Sequence, residues 1–383
     1  MDQAPQSDAH TASVQISTFL KGASTAGWAA TAFGVAALVF FSDGFQLAGA
    51  DGAETRPASA VPLAVLGDSD SHSYQDKVSF PAGSGKRGGA YRATTLQWTE
   101  VLARLRAQEL DQGEWGVWGV HRIVARVQEW VGLQNRAPRK EDYQYNFAIS
   151  GAGCETLTTG GGRQVQRLLA LMDREPARWR EGVVVLRIGV NSFGMDDGLD
   201  QFARDPMGAG IQGEVAQCLS QVRAAIALVH AKHEQTRFVL VGIYDNSNWP
   251  RYFDRWQSSA ALANVARGLD VYDQALQRMA DADPRIAFFD DRAWFAKRWG
   301  TRDAQGRPAY RPVVLASGLT VHNTIGDEPH HAVIADGHAG LVWNVLWAQS
   351  LVELLNQRLG LKITPIGDAE ASRLVDSLLA SNR

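Results

Sequence analysis

One short stretch of this sequence, VPLAVLGDSDSH at residues 61–72, constrains the fold more than any other. Six mostly apolar residues, Val61 to Leu66, lead directly into the triplet Gly67-Asp68-Ser69 and then into a polar run. An unbroken apolar run of this length predicts a strand that is buried on both faces of a parallel sheet. Ser69 then lies just beyond the carboxyl end of that strand, where open α/β sheets form their ligand-binding crevice.

Further apolar runs alternate with amphipathic segments along the rest of the chain. The runs that predict strands are residues 61–66, 145–149, 182–188, 237–243 and 285–289. Helical periodicity predicts helices at residues 94–108, 121–133, 164–172, 211–233, 258–280, 341–359 and 369–379. This alternation predicts a single three-layer α/β/α domain with a parallel, flavodoxin-like sheet of about five strands.

The predicted domain spans residues 61–360 and contains a long insertion at residues 73–142. The insertion holds a glycine-rich segment, Gly83 to Gly89, which predicts a flexible surface loop. A phosphate-binding P-loop needs Ser or Thr directly after its Lys, and this chain has Arg87 there. Residues 361–383 are expected to form a C-terminal tail with one short helix.

The first 50 residues have the features of an export segment. No charged residue occurs between Lys21 and Asp43, and Ala48-Gly49-Ala50 fits a signal-peptidase site. Two alternatives follow, a cleaved signal peptide or an uncleaved membrane anchor, and residues 51–60 then form a linker. Both alternatives place the domain in the periplasm, in the cell envelope or outside the cell, and the second attaches it to the membrane. A buried N-terminal helix of a cytosolic protein is the remaining alternative.

Charge and spacing argue against two classes of partner. The formal net charge of -3 and the sequence pI near 6.3 give no basic footprint, so nucleic acid is not expected. The two cysteines, Cys154 and Cys218, have the spacing of neither a metal site nor a CxxC motif. Two buried thiols are the expectation, and a disulfide is the alternative in an exported protein. No carboxylate or cysteine follows His230 and His233 at the spacing of a metal site, so we expect these two histidines to be exposed helix residues rather than metal ligands.

Four groups of residues follow apolar runs in a way that brings them to one edge of a parallel sheet. They are Ser69, Gly151 with Gly153, Asn191, and Asp336 with His338. This set resembles the SGNH, or GDSL-type, esterase and acylhydrolase superfamily, and the resemblance covers residues 61–359. It is specific only at these four blocks of sequence.

The resemblance implies a Ser-His-Asp triad and an oxyanion hole. Ser69 corresponds to the nucleophile, His338 to the base and Asp336 to the acid that orients the base. The backbone N–H groups of Ser69 and Gly151 and the side-chain amide of Asn191 correspond to the oxyanion donors. A serine hydroxyl needs a base to take its proton, and imidazole titrates near neutrality, so no cofactor and no metal are implied.

Three positions depart from the family pattern. Asp70 stands where an apolar residue is usual, and Ser192 stands where Asp is common. Asp336 and His338 are two residues apart instead of three, and in an extended segment residues two apart share a face, so the pair can still meet. Asp327 and His330 have the usual spacing, but only His338 is followed by a small residue, a glycine and a long helix, which favours Asp336 and His338.

Together these features predict an exported serine esterase that removes short acyl groups, such as acetyl, from a small-molecule or carbohydrate ester. Two alternatives stay open: an acyltransferase of the same fold, and a catalytically inactive carbohydrate-binding member. Trp115 and Trp118 can in principle stack on a sugar, although packing within the fold is the expectation for tryptophan. His72, close to Ser69, either contacts the substrate or begins a helix.

Overall fold

The computed structural model describes residues 57, 59–130 and 135–381 of the chain. The predicted export segment at residues 1–50 and most of the linker at residues 51–60 lie outside this range. Within the described range, no helix is both long enough and apolar enough to cross a membrane.

A five-stranded parallel sheet forms the centre of the domain. The strands, numbered in chain order, are β1 (Val61–Gly67), β2 (Leu110–Asp111), β3 (Trp115–Trp118), β4 (Lys140–Tyr143), β5 (Val183–Arg187), β6 (Arg237–Val241), β7 (Ile286–Phe289), β8 (Val313–Val314), β9 (Thr320–Ile325) and β10 (His331–Val333). The central sheet has the order β2-β1-β5-β6-β7, and all its neighbouring strands run parallel. Counted within the sheet this order is 2-1-3-4-5, the flavodoxin order. The predicted class and sheet are confirmed.

Helices flank the sheet. They are α1 (Trp98–Leu105), α2 (Arg122–Trp130), α3 (Gln164–Met172), α4 (Val190–Phe193), α5 (Asp196–Arg204), α6 (Ala209–His230), α7 (Ser259–Ala282), α8 (Asp291–Trp299), α9 (Leu341–Leu359) and α10 (Asp368–Ala380). The α9 residue Trp347 packs against Trp98 of α1 at 5.0 Å and Phe289 of β7 at 4.7 Å between ring centroids. The helices α3, α6 and α7 form a second layer.

Local chemistry explains where several helices begin. The side chain of Ser258 accepts a hydrogen bond from the N–H of Ala261 at 3.1 Å and caps α7. Asp290 caps α8 in the same way through the N–H of Ala293 at 2.9 Å. Such caps satisfy backbone donors that have no partner inside the helix. The last helix, α10, packs on α9 and is therefore part of the domain surface.

The predicted strand at residues 145–149 is wrong in detail. These residues form an extended segment that hydrogen-bonds to the second half of β1: the N–H of Phe147 donates to the carbonyl of Val65 at 2.8 Å, and the N–H of Ile149 donates to that of Gly67 at 3.0 Å. The first half of β1 pairs instead with the two-residue strand β2. Two segments thus share this edge, and a strand of two residues has no periodicity by which a sequence could reveal it.

Cys154 and Cys218 form a disulfide, so the expectation of two free thiols is wrong. Their Cα atoms are 5.0 Å apart, within the range that disulfides require, although 64 positions separate the residues in sequence. Cys154 begins a 3-10 turn and Cys218 lies in the middle of α6. Only the packing of that turn against α6 brings the sulfurs together, so spacing along the chain gives no signal.

The histidines at the end of α6 are also not exposed surface residues. His233 is buried, and its Nε2 atom lies 3.0 Å from Asp173 Oδ1. His230 Nε2 lies 2.9 Å from the carbonyl oxygen of Thr236. Each ring has its own protein partner: the chain turns back after α6 and brings Thr236 next to His230, whereas Asp173, next to His233, directly follows α3, which packs on α6.

We expect the disulfide to contribute about 4 kcal/mol to the free energy of unfolding, because it closes a loop with a sequence separation of 64 in the unfolded chain. Urea unfolding of the wild type and of the Cys154→Ser, Cys218→Ser double variant measures this difference. Adding reductant should lower the stability of the wild type and leave the double variant unchanged. Two titratable thiols in the denatured, unreduced wild type would contradict the assignment.

Candidate active site

Ser69 lies in a tight turn directly after β1. The carbonyl of Asp68 accepts hydrogen bonds from the N–H groups of Ser71 at 3.2 Å and His72 at 3.1 Å, which turns the chain away from the sheet. A Cβ atom at Gly67 would overlap the carbonyl oxygen of Arg187 on β5, so only glycine fits there. The Ser69 residue is 8% exposed, so only a small part of its surface is accessible.

The unusual acid of this turn, Asp70, faces a buried arginine. Arg187 stands at the end of β5; its Nη1 atom donates to the carbonyl of Asp70 at 3.1 Å, and its Nη2 atom lies 3.9 Å from Asp70 Oδ2. The same guanidinium binds Asp291 Oδ2 at 2.7 Å. Burial and the charge of Asp70 raise the pKa of the neighbouring Asp68 carboxyl well above its usual value. The arginine thus compensates for an acid where an apolar residue is usual.

Asp336 and His338 lie in a tight turn between β10 and α9. The N–H of Ile334 donates to the carbonyl of His338 at 2.9 Å, and Gly337 has a left-handed φ of 85°. His338 Nδ1 lies 2.9 Å from Asp336 Oδ1. The predicted geometry of an extended segment is wrong, because it is a turn that brings residues two apart together, and glycine is the residue that permits it.

The charge state of Asp336 follows from its surroundings. Burial alone would raise the pKa of its carboxyl, but the hydrogen bond to His338 and the positive charge of Arg87 outweigh burial and lower the pKa to about 2. An ionised Asp336 accepts the Nδ1 proton of His338. Within the described part of the chain, no protein group hydrogen-bonds to His338 Nε2, so its lone pair is available as a base.

The alternative pair, Asp327 and His330, does not come together in this way. Asp327 Oδ1 accepts a hydrogen bond from the N–H of Ala335 at 3.0 Å. The ring of His330 lies against His331, with the two centroids 4.0 Å apart. No hydrogen bond joins Asp327 to His330 in the structure of residues 135–381. The geometry therefore favours Asp336 and His338.

Gly151 follows the extended segment beside β1 and has a left-handed φ of 78°. The preceding residue, Ser150, is fixed by His72: the N–H of Ser150 donates to His72 Nδ1 at 3.2 Å, and Ser150 Oγ lies 2.9 Å from the same atom. His72 Nε2 lies 2.8 Å from Asp76 Oδ2. Burial and the charge of Lys140 lower the pKa of His72 to about 4, so its ring is neutral. His72 does not begin a helix; it is 1% exposed and holds the backbone before Gly151.

Asn191 and Ser192 begin the short helix α4 after β5. Asn191 Nδ2 donates to the carbonyl of Ala152 at 3.1 Å, which uses one of its two amide protons. Ser192 Oγ accepts a hydrogen bond from the N–H of Cys154 at 3.0 Å. Ser192 therefore joins the second and third blocks directly, in the place where an Asp is common.

The glycine-rich segment contributes a residue that the sequence did not reveal. Residues 83–86 are exposed as expected, but Arg87 is only 2% exposed, and its N–H donates to Asp336 Oδ2 at 2.9 Å. The prediction of a flexible surface loop is therefore wrong for Arg87. Charged residues between glycines usually face solvent, so only the tertiary contact identifies this one.

A buried ion pair near the end of the insertion binds two segments of the candidate site. Lys140 Nζ lies 2.7 Å from Asp142 Oδ2 and donates to the carbonyl of Ala148 at 2.6 Å. Asp142 Oδ1 accepts a hydrogen bond from the hydroxyl of Ser73 at 2.6 Å. The pair thereby links the turn after Ser69 to the segment that leads into Gly151.

Tyr74 ties the Ser69 turn to the His338 turn. Its hydroxyl donates to the carbonyl of Ala339 at 3.0 Å, and its ring stands edge-on to His338 with the centroids 6.5 Å apart. The four sequence blocks are thus connected at the carboxyl edge of the sheet, where β1 and β5 meet. Among the described residues, no group of three or more His, Cys, Asp or Glu side chains is arranged to hold a metal ion.

Comparisons with known proteins find likeness only among solved structures. No protein-family model matches the chain, and no curated protein matches it. The chain is similar to an extracellular lipase from Streptomyces rimosus at 15% identity and a TM-score of 0.36, over 77% of this chain and 100% of the lipase chain. It is also similar to phospholipase A1 from Streptomyces albidoflavus NA297 at 13% identity and a TM-score of 0.30, over 78% of this chain and 99% of the other. At these TM-scores the likeness carries no argument about function.

Proposed function

We propose that this protein is a serine esterase with Ser69 as nucleophile, His338 as general base and Asp336 as the acid that orients His338. The observation that carries the proposal is the hydrogen bond between His338 Nδ1 and Asp336 Oδ1 at 2.9 Å. Tyr74, which follows the Ser69 turn, binds the carbonyl of Ala339 next to this pair, and among the described residues Nε2 has no hydrogen-bond partner that would compete for a proton. A decayed triad would have no reason to keep this geometry, which argues against an inactive binding domain.

The reaction follows from these roles. Ser69 Oγ attacks the ester carbonyl carbon while His338 Nε2 takes the hydroxyl proton, and the ionised Asp336 stabilises the resulting imidazolium. The tetrahedral intermediate collapses, its C–O bond to the alcohol breaks, and His338 returns the proton to that alcohol. Water then attacks the acyl-enzyme with the same proton transfers, which releases the acid and regenerates Ser69.

Ser69→Ala and His338→Ala should each lower kcat by about 10⁴-fold or more on a p-nitrophenyl ester, and the double variant should be little worse, because these residues act as one unit. Asp336→Ala should cost less than His338→Ala, because an unoriented imidazole remains. A fluorophosphonate probe should label wild-type Ser69.

His330→Ala is the matched control, because it removes a neighbouring histidine of the alternative pair and should keep wild-type activity. Loss of activity in His330→Ala with turnover retained in His338→Ala would make Asp327 and His330 the working pair. Ester hydrolysis by a folded Ser69→Ala variant would contradict the assignment of Ser69 as the nucleophile.

The oxyanion is assigned to the N–H groups of Ser69 and Gly151 and to the side chain of Asn191. Asn191→Ala should lower kcat by about 10²-fold with little change in KM, because an oxyanion donor acts only as charge develops on oxygen. Steady-state kinetics on a p-nitrophenyl ester separates the two parameters. A change confined to KM would make Asn191 a substrate-binding residue instead.

The substrate part of the proposal is a short acyl group, such as acetyl, on a carbohydrate. A groove of about 230 Å³ borders the segment that follows the Ser69 turn. Its lining combines the rings of Trp115 and Tyr143 with the charged side chains of Glu141 and Arg104. Trp115 packs edge-on against Tyr143 and is still 37% exposed, so one ring face can stack on a sugar while the charged groups bind hydroxyls. The deep position of Ser69 supports a short acyl chain.

On p-nitrophenyl esters, kcat/KM should be highest for acetyl and fall about tenfold or more by octanoyl, since each added methylene must fit beside the nucleophile. Acetylated oligosaccharides should be deacetylated faster than acetylated simple alcohols. A preference for long acyl chains would contradict the first expectation. Acyl transfer to added sugar, in place of hydrolysis, would identify a transferase.

Export is also part of the proposal. The uncharged window between Lys21 and Asp43 supports it. The disulfide between Cys154 and Cys218 supports it independently, because disulfides persist mainly in oxidising compartments outside the cytosol.

A further inference from the structure

Arg87 contacts two separate parts of the proposed site. Its backbone N–H and its Nη1 atom donate to Asp336 Oδ2, at 2.9 Å and 3.3 Å. Its Nη2 atom donates to Ser150 Oγ at 3.0 Å. Ser150 directly precedes Gly151, the proposed backbone donor to the oxyanion. One guanidinium therefore joins the acid of the triad to the loop of the oxyanion hole.

The surroundings of Arg87 fix it in one position. The guanidinium carbon lies 4.4 Å from the ring centroid of Phe80 and 5.2 Å from that of Tyr74. The backbone has a left-handed φ of 59°, which is uncommon for a residue other than glycine. A buried cation in such a backbone conformation costs free energy and persists only where its neighbours hold it, an arrangement that occurs most often at functional sites.

The two oxygens of Asp336 have different partners. Oδ1 faces His338, and Oδ2 accepts both hydrogen bonds from Arg87. A carboxylate held at both oxygens cannot rotate, so the imidazole that it orients keeps its direction. Arginine suits this role because its planar fork reaches two acceptors at once, whereas the single ammonium of lysine cannot span Asp336 and Ser150 in the same way.

We propose that Arg87 is a positioning residue of the esterase, which fixes Asp336 and the Ser150–Gly151 loop relative to each other. The inference rests on the proposed function and adds a residue outside the four sequence blocks. Because Arg87 is 2% exposed, it acts through Asp336 and Ser150 rather than by touching the substrate.

Arg87→Gly is the most direct test, because glycine adopts the left-handed backbone without strain and keeps the N–H that binds Asp336. We expect kcat on p-nitrophenyl acetate to fall by about 100-fold, the loss typical of a misplaced reactive group, with KM within about threefold of the wild type. Guanidinium at concentrations below those that unfold the protein should restore part of kcat by occupying the vacated space. Arg87→Lys should give an intermediate kcat, because it keeps the charge but loses one of the two contacts.

Lys86→Ala is the matched control, since Lys86 is the adjacent cation on the same loop and its side chain is exposed. It should leave both parameters unchanged. Wild-type kcat in Arg87→Gly or in Arg87→Lys would overturn the inference, and so would an equal loss in Lys86→Ala. If Arg87→Gly does not fold, the kcat of Arg87→Lys alone tests the inference.

The labelling of Ser69 by the fluorophosphonate probe separates failure of this inference from failure of the proposed function. If the probe labels the wild type and the Arg87 variants keep the wild-type kcat, the positioning role of Arg87 is wrong and the proposed esterase function stands. If the wild type is neither labelled by the probe nor active on esters, the proposed esterase function is wrong.

Discussion

The parallel pairing of β1 with β5 is the constraint on which the rest of the structure depends. The two strands are in register from Leu63 with Val183 to Gly67 with Arg187, and their apolar side chains are buried. After β1 the chain continues toward α1, whereas after β5 it continues into α4 and then the layer that contains α6. Since the connections leave in different directions at this point of the sheet, a crevice opens beyond the strand ends. Ser69 follows β1 and Asn191 follows β5 at this point of the sheet.

Buried charges are tolerated at this edge because each has a partner. Arg187 pairs with Asp291 and faces Asp70, Lys140 pairs with Asp142, and Arg87 binds Asp336. A buried charge without a partner would cost several kcal/mol, so removing any one member of these pairs is expected to do more harm than replacing a whole pair by apolar side chains. The acid at position 70 is tolerated for the same reason.

The insertion between β1 and the segment beside it is part of the site. Its first residues supply Asp76, the partner of His72, its glycine-rich loop supplies Arg87, and its last strand, β4, supplies Lys140. The contact of Ser192 with Cys154 joins the second block to the third, and the disulfide attaches Cys154 to α6. Backbone N–H groups that bind an oxyanion must be fixed before the reaction, and these contacts fix the backbone on both sides of Gly151, one of the proposed donors.

The sequence by itself determined the class of fold and the ends of β1 and β5, the two central strands that lead to Ser69 and Asn191. Continuous apolar runs such as Val183 to Leu186, alternating with amphipathic segments, favour strands buried in a parallel sheet between helices, and polar residues at the strand ends then lie at one edge. The sequence also favoured Asp336 and His338 over Asp327 and His330, because only His338 is followed by a glycine and a long helix. The tertiary structure decided the rest: the disulfide, the neutral His72, and the contact of Arg87 with Asp336. Those contacts join residues that are far apart in the chain, and periodicity and local spacing hold no information about pairs that only packing brings together.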